Sequence, residues 1–141
     1  MNLCVSKYLR CLSIVSKESF DIIKDWFKEI TLYDNRLIEA NYKILDNGKY
    51  EVTMEIESSK IKSDSLGNET RVGLNDWIDI GFFMDNDEEN LYEQKRLRFN
   101  KDKTSITVEL DSLPIKAAID PRRILIDRVF KDNIKSISLE D

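Results

Sequence analysis

The chain contains no histidine. That absence removes the commonest general base and the commonest metal ligand. No Ser-His-Asp triad, Cys-His pair or histidine-based zinc site can be assembled from these residues alone. Asp, Glu, Lys and Tyr remain for acid–base work, so a self-sufficient hydrolase built on them stays open as a minor alternative. Cysteine is almost as scarce. Cys4 and Cys11 lie two helical turns apart, about 10.5 Å of rise and too far for a disulfide within an intact helix. Their spacing is also not the C-x-x-C of a redox pair, which leaves small apolar filler or exposed thiols. The four glycines, at positions 48, 67, 73 and 81, are scattered, so no glycine-rich phosphate loop exists. No apolar run approaches the ~20 residues of a membrane span. Leu3 to Val15 is broken by Lys7 and Arg10 and lacks a signal peptide's basic start and cleavage site. A soluble, cytoplasmic chain without direct membrane insertion is expected.

What is present is charge. Lysine and arginine number 22 against 27 aspartates and glutamates, a net charge of −5. Such a chain repels a phosphate backbone, and no nucleic-acid partner is expected. At 141 residues there is room for one core that folds without staples.

Residues 1–34 read as an N-terminal helical segment and 35–141 as a β domain. The better of two candidate helices runs from about Ser19 to Ile30, capped by Ser19, with Phe20, Ile23, Phe27 and Ile30 in one stripe that Trp26 widens. From Asn35 the apolar period becomes two. Leu37–Leu45 is a strand with Ile38, Ala40, Tyr42 and Ile44 on one face. Asp46-Asn47-Gly48 is a hairpin turn. Lys49–Ser58 answers with Tyr50, Val52, Met54 and Ile56 inward and Glu51, Thr53, Glu55 and Glu57 outward. After a loop at 63–68 comes Asp76–Met84, with Ile78, Ile80, Phe82 and Met84 on a purely apolar face and Trp77, Asp79, Gly81 and Phe83 on the other. Leu91–Phe99 follows, with Leu91, Leu97 and Phe99 on one face, then Thr104–Leu110, an extended crossing from Leu113 to Pro121 and a last strand at Ile124–Ile126. About six or seven short strands with polar turns predict a mainly β fold, an antiparallel Ig-like β-sandwich preceded by one or two helices.

Two charged groups invite a functional reading. Asp85, Asp87 and Glu89 have the 1-3-5 spacing of a calcium loop, but Asn90 and Arg96 stand where glycine and a bidentate acid are required. A solvated hairpin tip is the better account, and no metal or other cofactor is expected. Lys95, Arg96 and Arg98 with Arg122 and Arg123 could form a basic patch, or a solvated face paired with the Glu51–Glu57 row.

Three pieces carry a resemblance: Ile30-Thr31-Leu32-Tyr33-Asp34-Asn35-Arg36; Leu74-Asn75-Asp76-Trp77-Ile78-Asp79-Ile80-Gly81-Phe82-Phe83; and Ala118-Ile119-Asp120-Pro121 with Leu125-Ile126-Asp127-Arg128 and Asp132-Asn133. Together they resemble the C-terminal region of large bacterial proteins that join an ABC-2-type transporter permease to an aminopeptidase N-like metallopeptidase. The resemblance covers roughly residues 18–137 and implies a β-sandwich accessory domain. It also implies a parent associated with the inner membrane, on a side left open, and a protein partner in the peptidase and permease portions. That family's H-E-x-x-H helix and Gly-x-Met-Glu-Asn strand have no counterpart here, so no catalytic or zinc residue carries over and no enzyme activity is expected. The matched residues read as structural. Asp120 and Pro121 fix an extended bend before the last strand. Asp127, Asp132 and Asn133 hydrogen-bond local backbone. Trp77, beside Asp79, sits on the less covered sheet face as a docking surface for the absent peptidase or, preferably, as the seat of the N-terminal helix. The alternative function is a small stand-alone binding module for a peptide or carbohydrate.

Overall fold

A computed structural model describes residues 30–140, and they form two β-sheets. The chain runs β1 (Ile30–Ile44), β2 (Tyr50–Ser63), β3 (Glu69–Val72), β4 (Asp76–Phe83), β5 (Leu91–Phe99), β6 (Lys103–Leu110) and β7 (Lys116–Ile119). A 3-10 turn at Phe130–Asn133 then leads to β8 (Ile134–Ser136) and β9 (Ser138–Leu139). One sheet has the order β3-β2-β1-β9, with β6 beside β3 on the far edge of the long β2; the other has the order β5-β4-β7-β8. Every pairing is antiparallel except the short β1–β9 contact. No helix among the described residues is long and apolar enough to cross a membrane.

The β1–β2 hairpin organises the first sheet. Gly48 adopts φ +80, which its missing Cβ permits, and Leu45 and Lys49 close the turn at 2.8 Å. Alternation then places Val52, Met54 and Ile56 in the interior, as the sequence predicts, with Glu51 and Glu55 facing out. From the second sheet Ile78, Ile80 and Phe82 meet them, joined by Leu37, Phe99, Leu110 and Ile119 in a single cluster shared by both sheets.

The structure corrects several expectations. Residues 30–33, expected to end a helix, are strand. Thr31 and Tyr33 are buried and β-compatible, and Ile30 completes a helical stripe only by coincidence of spacing. β1 therefore runs unbroken across positions 34 and 35. The predicted helix from Ser19, and the one before it, otherwise lie outside the described residues. A bulge between Leu37 and Glu39 shifts the face, so Thr31, Tyr33, Asn35 and Leu37 point inward before it and Ala40 and Tyr42 after it. Ile38 and Ile44, placed by strict alternation on one face with Ala40 and Tyr42, are exposed. A second bulge, opposite Phe82 and Phe83, separates Leu91 from Leu97 and Phe99 and turns it to the outer face. β3 was not anticipated. The crossing at 113–121 contains β7, a central strand whose Ala117, Ala118 and Ile119 are fully buried, because a strand covered on both faces shows no alternation. Ile124–Ile126 is not a ladder strand. It touches β1 through one parallel bridge, Tyr33 to Asp127, and the Tyr33 amide donates to the Ile126 carbonyl at 2.8 Å.

The register of β2 yields the first prediction. Met54→Asp buries an unpaired charge and should destabilise the fold by about 4 kcal/mol or more, whereas Glu55→Ala should change it by less than about 0.5 kcal/mol. Urea unfolding of the two variants beside the parent chain measures both.

Candidate functional site

The sequence pieces singled out above converge in two neighbouring clusters. The first lies on the outer face of the second sheet. Asp79 is buried there, on β4, because Arg96 of β5 folds over it. The Arg96 guanidinium donates Nε to Oδ1 at 2.7 Å and Nη2 to Oδ2 at 3.2 Å, and Gln94 Nε2 adds a bond to Oδ2 at 2.6 Å. These donors hold the Asp79 carboxyl below its ordinary range, Arg96 foremost. Two residues further along β4, Gly81 leaves room for Pro121. A Cβ built there would lie 2.8 Å from Pro121 Cγ and 2.8 Å from Leu91 Cδ1.

Pro121 is held by the turn that begins at Asp120. The Asp120 amide donates to the Asp79 carbonyl at 2.7 Å and its carbonyl accepts from Arg123 at 3.0 Å, which makes a tight turn where an extended bend was expected. Asp120 sits at φ +48, a left-handed conformation that aspartate tolerates, and its two carboxylate oxygens accept the amides of Ile124 and Leu125 at 3.0 and 2.9 Å. Burial pushes this carboxyl up, against those two hydrogen bonds.

The second cluster ties the tail to β1. Asp127 Oδ2 accepts the amide of Asn35 at 2.9 Å and Asn133 Nδ2 at 3.1 Å, while Oδ1 accepts the Val129 amide at 3.0 Å. Only the last is the local bond expected from the sequence; the bond to Asn35 spans 92 positions. Asn133 is fully buried. Asp132 lies 3.5 Å from Arg36, and its carboxyl is raised by burial and by the charge of Asp127. Trp77 belongs to neither cluster. It is 50% exposed, with the Arg98 guanidinium 6.0 Å from its ring centre.

The basic residues divide: Arg96 and Arg122 both act on the Asp79 carboxyl, and the others turn elsewhere. Arg96 serves Asp79, Arg98 donates to Asn75 at 2.8 Å, Arg123 stacks 3.9 Å over Phe130, and Lys95 turns to the opposite face beside Glu93. The glutamate row of β2 pairs instead with Lys43 and Lys103. At 85–90 the Asp85 carboxylate accepts the amides of Glu89 and Asn90, and Glu88 pairs with Lys116 at 2.8 Å, which is how a hairpin turn is held. No three acidic or thiol side chains converge in a metal-holding group among the described residues.

Sequence reasoning missed a buried ion pair and a cleft. Lys60 of β2 and Asp76 of β4 meet at 3.1 Å, with 7% and 4% of their side chains exposed, and join the two sheets. The alternation of β2 carried past Ser58 would have placed Lys60 inside. Where β2 exchanges β6 for β3, a cleft of about 480 Å³ opens. Its charges are already matched in pairs, Arg36 with Asp34, Arg71 with Asp102 and Lys103 with Glu57. Ser58 at its edge hydrogen-bonds the side-chain oxygen of Asn35, an amide that cannot take its proton, so this serine is not an activated nucleophile.

Comparison with known proteins finds no match to this chain among protein families, curated proteins or solved structures.

Two predictions follow from the first cluster. A depressed carboxyl contributes stability that is present above its unfolded pKa, near 3.9, and lost as pH falls through the lower folded value. The stability gap between the parent chain and Asp79→Asn should therefore be wide at pH 7 and close toward pH 3. Asp120, raised by burial, has the opposite sign and contributes most in acid. Urea titrations across that range read both slopes. Gly81→Ala should cost about 1–3 kcal/mol, because the Pro121 ring cannot swing aside as the end of Leu91 can; thermal unfolding checks it.

Proposed function

We propose that this chain is a non-catalytic accessory domain, an Ig-like β-sandwich comparable to the C-terminal region of the permease–peptidase fusions that its three sequence pieces resemble. The supporting observation is what those pieces do. They are bonded to one another, Asn35 to Asp127 to Asn133 and Asp79 to Asp120, and the carboxylates among them accept donors of their own chain. Residues so engaged hold a scaffold in shape and are not poised for a substrate. The partner would be protein, the peptidase or permease portion of a parent polypeptide. The end of the second sheet's outer face that displays Trp77 and Arg98 is the docking surface the chemistry favours.

The purified chain, with and without added zinc, should hydrolyse alanyl-p-nitroanilide at the blank rate. Turnover that scales with chain concentration and persists through a second purification overturns the reading. A binding module for a peptide or carbohydrate is the second reading, favoured by the same half-exposed indole as a stacking platform. With Trp26→Phe leaving Trp77 as the sole reporter, saturable change in its emission on titration with chitohexaose would support this alternative.

A further inference from the structure

The two long edge strands of this fold are defended very differently. β5 directs Glu93 and Lys95 toward the interior side, opposite Phe82 and Ile80, and carries a bulge at its start. Inward charges and bulges are the devices by which an edge strand refuses another strand. β6 has none of them. Its eight residues, Lys-Thr-Ser-Ile-Thr-Val-Glu-Leu, pair with β2 in unbroken register, without proline, glycine or bulge, and β-branched residues dominate its middle. Among the described residues β6 has a strand on one side only.

The ladder fixes what the open side offers. Ser58 donates its amide to the Asp102 carbonyl at 2.8 Å, one step beyond the Glu57–Lys103 pair. Main-chain groups alternate in direction along a strand, so Thr104, Ile106, Val108 and Leu110 bond toward β2. Lys103, Ser105, Thr107 and Glu109 aim their N–H and C=O groups the other way. An antiparallel partner must therefore bond to these four odd positions, and residues facing each other must share parity to keep one face apolar.

We propose that this edge pairs with the β6 of a second copy about a two-fold axis through Ile106, joining the first sheets of two molecules into one. In that register Lys103 stands opposite the second copy's Glu109, Ser105 opposite its Thr107, and Ile106 opposite Ile106. Symmetry doubles the first two pairs, while Ile106 meets its own copy once on the axis. The strand is thus complementary to itself in charge as well as in hydrogen bonding, which an acidic peptide or a basic one would not match. Lys103 is free to swing across, since its bond to Glu57 lies on the surface with 81% of the lysine side chain exposed; Glu109 is likewise half-exposed beside Lys49. This inference is independent of the accessory-domain reading.

Sedimentation equilibrium on the full chain tests it. The parent chain should dimerise. Glu109→Lys sets lysine against lysine twice and should weaken association at least about tenfold. Adding Lys103→Glu to Glu109→Lys restores opposite signs and should recover the dimer, with far-UV circular dichroism showing all three folded. A second readout removes dependence on charge. In a Cys4→Ser, Cys11→Ser background, Ile106→Cys places two thiols face to face on the axis and should give a disulfide-linked dimer on mild oxidation, whereas Glu55→Cys, on the neighbouring strand, should not. A chain that stays monomeric up to about 1 mM overturns the proposal. So does a dimer that ignores the charge swap or fails to crosslink at position 106.

Discussion

The carboxylate of Asp127 is the point on which the closure of this fold depends. After β7 the chain leaves the second sheet, passes beside β1 of the first, and returns to the second as β8 before ending against β1 as β9. Such a path has almost no ladder of its own between Pro121 and Ile134. One carboxylate receives the amide of Asn35 from β1, the side chain of Asn133 and the amide of Val129. Charge-assisted bonds of this kind are stronger than neutral ones, and a bridge between residues 92 positions apart removes far more conformational freedom than a local turn. Lys135 then bonds the Ile38 carbonyl at 2.6 Å, so the edge of β1 is covered along its length by tail residues in place of a full strand.

The interior is divided. At one end it is hydrocarbon, from Leu37, Val52, Met54 and Phe82. At the other it is polar, from Asn35, Ser58, Lys60, Asp76 and Asn133. The Lys60–Asp76 pair need not add net stability over an apolar pair of the same shape, because removing two charges from water costs about what their attraction returns. Its effect is on register. A one-residue slip of β2 would carry Lys60 to the outer face, bring Ile61 inside, and leave Asp76 buried without its cation. An unpaired buried charge costs about 3–5 kcal/mol, so the slipped state is excluded more firmly than apolar packing alone would exclude it.

The sequence made the β class legible wherever one face was apolar and the other wet. The turn at Asn47-Gly48, the inward set of β2, the two faces of β4 and the strand β6 all follow from alternation. Several of the misreadings share one cause, since alternation is a local signal and bulges and burial on both faces break it. Ile38 and Leu91 changed sides at bulges, and Lys-Ala-Ala-Ile of β7 showed no period because both its faces are covered. The tail pieces read as structural from the sequence, and Asp120 and Asp127 each accept backbone amides of their own chain. Their partners, Asp79 and Asn35, lie tens of residues away, and no spacing along the chain encodes that distance.

What the clusters leave over decides where another molecule could meet this one. The outer face of the first sheet is laced with Lys43–Glu51, Lys49–Glu109 and Lys103–Glu57 pairs, each well hydrated and of little worth to the fold itself. The outer face of the second is covered by Pro121 and Arg96 at its centre, which leaves Trp77 and Arg98 at one end. That end adjoins the β5–β6 turn, because Arg98 and Phe99 close β5 and Lys103 opens β6 only a few residues later. The exposed indole thus lies under Arg98, a few residues before the undefended edge begins, yet the two offer different chemistry, an aromatic surface in one case and main-chain donors and acceptors in the other. A partner seated on Trp77 need not compete with a second copy seated on β6.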